Sequence, residues 1–207
     1  MNQLELKLFK ERLVATLKEF DRLCKYNDIK YSVAFGTAIG VVRHHGFIPW
    51  DDDIDVVMLR SDYEKFIGLK EANNNGRYKI ISIGDKWYNL PFAKFSDTDV
   101  TLIEETRFPF NSGAYIDVFP LDPVCEGDVE NMADKYRLLL SRYNNSIKKT
   151  LWKNIFTIDA KCIKNELSIL LRERFKSSIY FHDIKMFENN LKSIQSDWVV
   201  SYIWYPR

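Results

Sequence analysis

The stretch Asp51-Asp-Asp-Ile-Asp-Val-Val-Met58 places the tightest constraint on what this chain can fold into. Side chains two apart on a β-strand share a face. Asp53 to Met58 therefore reads as a strand, with Ile54, Val56 and Met58 turned into a core. Asp53 and Asp55 share the opposite face, about 6.6 Å apart along the backbone. A carboxylate pair at that spacing can converge on hard cations, because magnesium prefers carboxylate and phosphate oxygens. Two such ions about 3.5–4 Å apart can activate an attacking oxygen and stabilise a leaving one. Taken alone, the acidic cluster also fits a solvated loop or a helix cap. An EF-hand is excluded, since its glycine and distal glutamate are missing.

The elements before the acids are short and punctuated. Leu6, Phe9, Leu13, Leu17 and Phe20 recur at spacings of three and four, so residues 4–26 read as an amphipathic helix. Tyr31 to Phe35 reads as a strand, followed by a sharp turn at Gly36-Thr37. A short helix over 38–44 is expected to close at Gly46. Ser61 and Glu64 have capping-box spacing, which predicts a helix over about 62–70. Asn73 to Gly76 signals a loop. Strands are expected near 78–83, 91–95 and 100–104, and over Ala114–Phe119, where Pro120 and Pro123 should stop the last. Asp117 interrupts that apolar strand. A buried aspartate is costly unless paired or metal-bound, so Asp117 is the candidate third carboxylate. From about 128 the pattern turns helical. The expected architecture is α+β: a mixed sheet with flanking helices over 1–123, then a helical region over 124–207 suited to acceptor binding.

Charge and cysteine usage narrow the function. Lys and Arg number 30 against 29 Asp and Glu, which argues against general nucleic-acid affinity. Cys24, Cys125 and Cys162 are far apart and form no CxxC motif, as expected of a reducing cytoplasm. The N-terminal stretch carries charges throughout and does not read as a signal peptide. No run is apolar for long enough to suggest a membrane span. From Lys148 to Lys176 eight basic residues stand against three acidic ones, with Trp152 and Phe156 among them. Such a region can rest on an anionic membrane, although a solvated helix face is the stronger explanation.

The whole run Phe35-Gly-Thr-Ala-Ile-Gly-Val-Val-Arg-His-His-Gly-Phe-Ile-Pro-Trp-Asp-Asp-Asp-Ile-Asp55 resembles the LicD family of the nucleotidyltransferase superfamily. Tyr115-Ile-Asp-Val-Phe-Pro-Leu-Asp122 and Lys94 with Asp97-Thr98 extend the resemblance across about residues 31–123. The resemblance implies transfer of phosphocholine or a similar phospho-group from a CDP-linked donor. The acceptor is a glycan or lipid-linked glycan of the cell surface, such as lipopolysaccharide or teichoic acid. It implies magnesium, with manganese as the alternative, on Asp53, Asp55 and Asp117, which act as catalytic and metal-binding residues. Members also carry a C-terminal aromatic and glycine-bearing stretch that this sequence lacks.

Other site residues follow from chemistry beside the acids. Gly36 and Thr37 are expected to cradle donor phosphates through amides and hydroxyl. Arg43 can grip phosphate bidentately, and His45 can hydrogen-bond phosphate or acceptor. Trp50 can stack on a base or a choline cation, or else pack in the core. Lys94 can neutralise the transferred phosphate, or else be a lone lysine on a strand edge. Asp51 and Asp52 can orient the metal ligands. Asp97 and Asp122 look like turn residues, and His182 like a structural or solvated one. The alternatives are a nucleotidyltransferase acting on a small molecule or sugar, and a non-catalytic binding module. The expected location is the cytoplasm, peripheral to the inner face of the membrane.

Overall fold

A computed structural model describes residues 3–73, 76–85, 88–102, 112–124, 127–147 and 176–202. The chain forms two compact units: Met1–Glu104 with Phe110–Asp122, and Glu105–Pro109 with Pro123–Arg207. Its class is α+β, a mixed sheet with flanking helices and a helical C-terminal part.

In the first unit, helix α1 (Gln3–Tyr26) leads into β1 (Ser32–Val33) and α2 (Phe35–His44). β2 (Asp55–Leu59) runs directly into α3 (Arg60–Gly68), then α4 (Lys70–Asn73). β3 (Tyr78–Ile81), β4 (Ala93–Asp97) and β5 (Ala114–Pro123) complete the sheet path β1-β2-β5-β4-β3. β2 and β5 are parallel, and the other pairs are antiparallel. One sheet face is the core. Ile54, Val56 and Met58 meet Ala93, Phe95, Ile116 and Val118 there, beneath Leu13, Phe20 and Cys24 of α1 and Phe66 of α3. Phe20 anchors this layer, with edge-on contacts to Tyr31 and Phe66 at 4.9 and 5.5 Å. Burying such a ring stabilises the fold by about 1.5–3 kcal/mol.

Several local expectations are corrected. Gly36 and Thr37 lie in the first turn of α2, not in a separate turn. That helix closes at His45, which takes the left-handed position (φ 53°) expected of Gly46. Ser61 makes no capping bond, because α3 begins at Arg60 straight off the strand and Ser61 is already inside it. Residues 100–102 are not strand. β5 continues through Pro120 to Pro123. The Asp117 amide donates to the Ile54 carbonyl on the β2 side, so alternation turns position 120 toward the β4 side. β4 has ended there, at the Ala93–Val118 pair, so the missing Pro120 N–H costs no bond to β4.

Gly113 has a φ of 63°, and a Cβ on it would stand 2.3 Å from the Asp97 carbonyl oxygen. Gly113→Ala is expected to destabilise the chain by about 2 kcal/mol or more. Urea unfolding reads this as a lower midpoint with an unchanged slope.

The second unit is built on α5 (Val129–Ile147) and α6 (Ser177–Lys192), with a short strand β6 (Val199–Val200). Tyr136 stacks on Phe187 at 5.3 Å and donates its hydroxyl to Glu188 at 3.0 Å. Tyr202 packs edge-on against both rings. His182 is exposed. Cys125, Cys162 and residues 148–175 of the basic segment lie outside the described residues.

Candidate active site

The non-core face of the sheet carries the carboxylates. β2 and β5 pair with Asp55 opposite Asp117, and the antiparallel β4–β5 pair sets Lys94 opposite Asp117. Asp53 precedes β2 by two residues and keeps to the same face as Asp55, while Ile54 between them is buried. Register alone thus brings residues 53, 55, 94 and 117 together from three segments.

The electrostatics show a concentration of negative charge. Burial, then the charge of Asp53, Asp117 and Asp51, pushes the Asp55 carboxyl up to about 7. Burial and the neighbouring Asp51 and Asp52 push Asp53 up to about 6. The opposing influence on both is Lys94. Lys94 is on a central strand, not an edge, and is 1% exposed. Its Nζ donates to Asp117 Oδ1 at 2.8 Å and lies 3.2 Å from the centre of the Tyr115 ring. The lysine therefore serves Asp117 first. Sequence reasoning missed Tyr115, though its position two residues before Asp117 is a sufficient signal for a shared face.

The turn into α2 packs against this cluster. Thr37 Oγ1 accepts the Asp55 amide at 2.9 Å, and the Ala34 amide donates to the Asp55 carbonyl at 3.0 Å. The chain enters the helix through Phe35, whose φ of 48° is left-handed. That conformation costs about 1–2 kcal/mol and is offset by edge-on packing on Phe119 at 5.4 Å. A Cβ on Gly36 would meet Asp51 Oδ2 at 2.7 Å, so glycine is what lets the Asp51 carboxylate approach the helix N-terminus. Amides of a first helical turn lack intrahelical acceptors and favour an anion there.

The remaining sequence candidates are placed differently. Arg43 and His45 are exposed at the far end of α2, about 9 and 12 Å along the axis from Thr37. Trp50 is 80% exposed, which rules out the core-packing alternative. Asp122 is a buried strand residue rather than a turn former, whereas Asp97, buried at the end of β4, also opens the turn that follows by accepting the Asp99 amide at 3.1 Å. Arg77 holds Asp97 in a two-pronged pair, and Arg60 holds Asp122 at 2.6 and 2.8 Å.

The donor set suits a hard cation: oxygen ligands only, with more negative charge than Lys94 balances. Among the described residues, no three His, Cys, Asp or Glu side chains converge as a ready metal cage. Magnesium is usually bound through one or two carboxylates together with substrate phosphates and waters. Asp53 and Asp55 meet that requirement, and Asp117 stands in register beside them.

The lipopolysaccharide cholinephosphotransferase LicD of Haemophilus influenzae is 31% identical over 175 residues, which cover 82% of this chain and 64% of that relative. An uncharacterized protein of Rickettsia typhi is 42% identical over 125 residues, covering 57% of this chain and 40% of the relative. The chain thus spans less than two thirds of the length of either. No solved structure matches it. Residues 28–153 match the LicD/FKTN/FKRP nucleotidyltransferase domain, more than half of the chain, and the protein belongs to that family.

Proposed function

We propose that this chain transfers a phospho-group, phosphocholine first among the candidates, from a CDP-linked donor to a cell-surface glycan or its precursor. The observation that carries the reading is the pairing of Asp55 with Asp117 on adjacent parallel strands, with Asp53 on the same face. The relative named as a lipopolysaccharide cholinephosphotransferase supports the choice of group and acceptor.

In this reading Asp53 and Asp55 would hold magnesium, or manganese in its place. The bound ion supplies charge neutralisation and a more acidic acceptor hydroxyl. The first turn of α2, at Gly36 and Thr37, faces the donor phosphates with its amides. Lys94 holds Asp117 in one orientation, and Asp117 takes the proton of the attacking hydroxyl. Arg43, His45 and Trp50 contact the lipid-linked part of the acceptor that extends beyond the acids. The chain works in the cytoplasm. Among the described residues no helix is long and apolar enough to cross a membrane.

Phosphorus NMR with choline, glycerol and ribitol CDP donors tests the reaction class. Magnesium-dependent release of cytidine monophosphate is expected, and a nucleotidylated acceptor would instead indicate nucleotidyl transfer. Activity should fall as pH drops through 7 toward 6, because metal ligands must be deprotonated and Asp55 and Asp53 titrate there. Higher magnesium should move that acid limb to lower pH. An acid limb indifferent to magnesium would count against these two carboxylates as its ligands.

A further inference from the structure

Among the described residues of the first unit, one helix face is largely exposed, although Phe35 at its start also packs on Phe119. Phe35, Ile39 and Val42 of α2 recur at spacings of four and three, so they form one stripe. They are 41%, 48% and 77% exposed. The opposite face is tied down, since a Cβ on Gly40 would stand 2.4 Å from the Gly46 carbonyl oxygen. Trp50, on the loop that follows, is 80% exposed. Lys10 fastens that loop by donating to the Ile48 and Pro49 carbonyls at 3.2 and 2.9 Å, so the indole stands out from a fixed base.

Charge selects the occupant. No Asp or Glu occurs from Ile29 to Trp50, while Arg43, His44 and His45 follow the stripe and are all exposed. The acids begin only at Asp51, and of these Asp51 and Asp53 are partly buried against the site, leaving Asp52 exposed. Aliphatic side chains with a protruding tryptophan and a cationic end have the composition of a helix that lies in a lipid interface. We propose that α2 and Trp50 dock the chain on an anionic lipid surface. Because the first turn of α2 bonds Asp55, the docked helix would set the carboxylates at a lipid-linked acceptor. That purpose rests on the proposed transfer reaction; the docking itself does not.

Co-sedimentation of the full chain with vesicles rich in phosphatidylglycerol tests this. Wild type should bind at low salt, release at high salt, and ignore pure phosphatidylcholine. The double variant Ile39→Asn/Val42→Asn should lower the bound fraction about fivefold or more. Leu138→Asn, which removes a similarly exposed side chain from α5, should bind as wild type does. Wild type remaining in the supernatant would overturn the proposal, and so would equal binding by the double variant. A wild-type dimer that the double variant abolishes in sedimentation velocity would also overturn it, in favour of a second copy. Release of cytidine monophosphate from soluble donor, measured on the same samples, is read separately. Its absence with vesicle binding intact removes the transfer reading and leaves the docking.

Discussion

Asp55→Asn is expected to lower transfer by about a thousandfold while making the metal-free chain more stable at pH 8. The catalytic loss follows from removing a carboxylate that would hold the ion and face the reacting phosphate, where one electrostatic group is worth about 10²–10³ in rate. The gain in stability follows from the same burial. Asp55 is raised from its ordinary value of 3.8 to about 7, by burial first and by Asp53, Asp117 and Asp51 after it. A folded-state pKa above the unfolded one favours the fold fully below the unfolded value. That contribution disappears as pH rises through the folded value. The wild-type chain therefore loses stability between about pH 4 and 7, and asparagine escapes the loss. Allowing for solvent screening of a partly exposed group, the gain is roughly 1–2 kcal/mol. Thermal unfolding at pH 8 and pH 4 checks it: the variant should melt higher at pH 8, with the difference closing at pH 4. Full activity in the folded variant would dismiss the proposed site. A lower melting point at pH 8 would dismiss the electrostatic account alone.

Arg60→Ala is expected to cost about 3–5 kcal/mol of stability. Arg60 opens α3, and it meets Asp122 near the end of β5 through two bonds, with both residues at most 3% exposed. The Tyr63 ring lies 5.2 Å from the guanidinium carbon. Removing the arginine takes two bonds from an interior carboxylate, and the cost of keeping that charge buried, more than the lost attraction, sets the magnitude. A drop of roughly 10 °C in the melting midpoint corresponds to this cost in a chain of such length. Arg60→Met combined with Asp122→Leu should recover most of the loss, because no charge is then left buried. If the double variant melts no higher than Arg60→Ala, packing rather than desolvation governs this corner of the fold.

Residues 53–58 show what could be read without a structure. The alternation of Ile54, Val56 and Met58 with Asp53 and Asp55 is enough to divide core from site, because a strand's two-residue period belongs to the backbone itself. Helix α1 was legible for the same reason, through its spacing of three and four. Local punctuation was less reliable. Ser61 has the chemistry of a cap, yet β2 feeds directly into α3, and the helix starts one residue too early for it. Pro120 has the chemistry of a stop, yet its missing N–H points to a side where β4 has already ended.

Charge partners are where sequence reasoning ran out. For Lys94 the edge alternative failed, because the sheet order put it on an inner strand as the buried partner of Asp117. Asp97 and Asp122 read as turn residues, while their arginines arrive from 20 and 62 positions away. Periodicity, and hence which face each side chain takes, is a property of neighbouring residues and was determined by the sequence alone. Which strands lie side by side, and therefore which charges neutralise one another, was decided only when the chain closed into its sheet. The energy of a buried charge depends on the groups within a few ångströms of it, and distance along the chain says little about those.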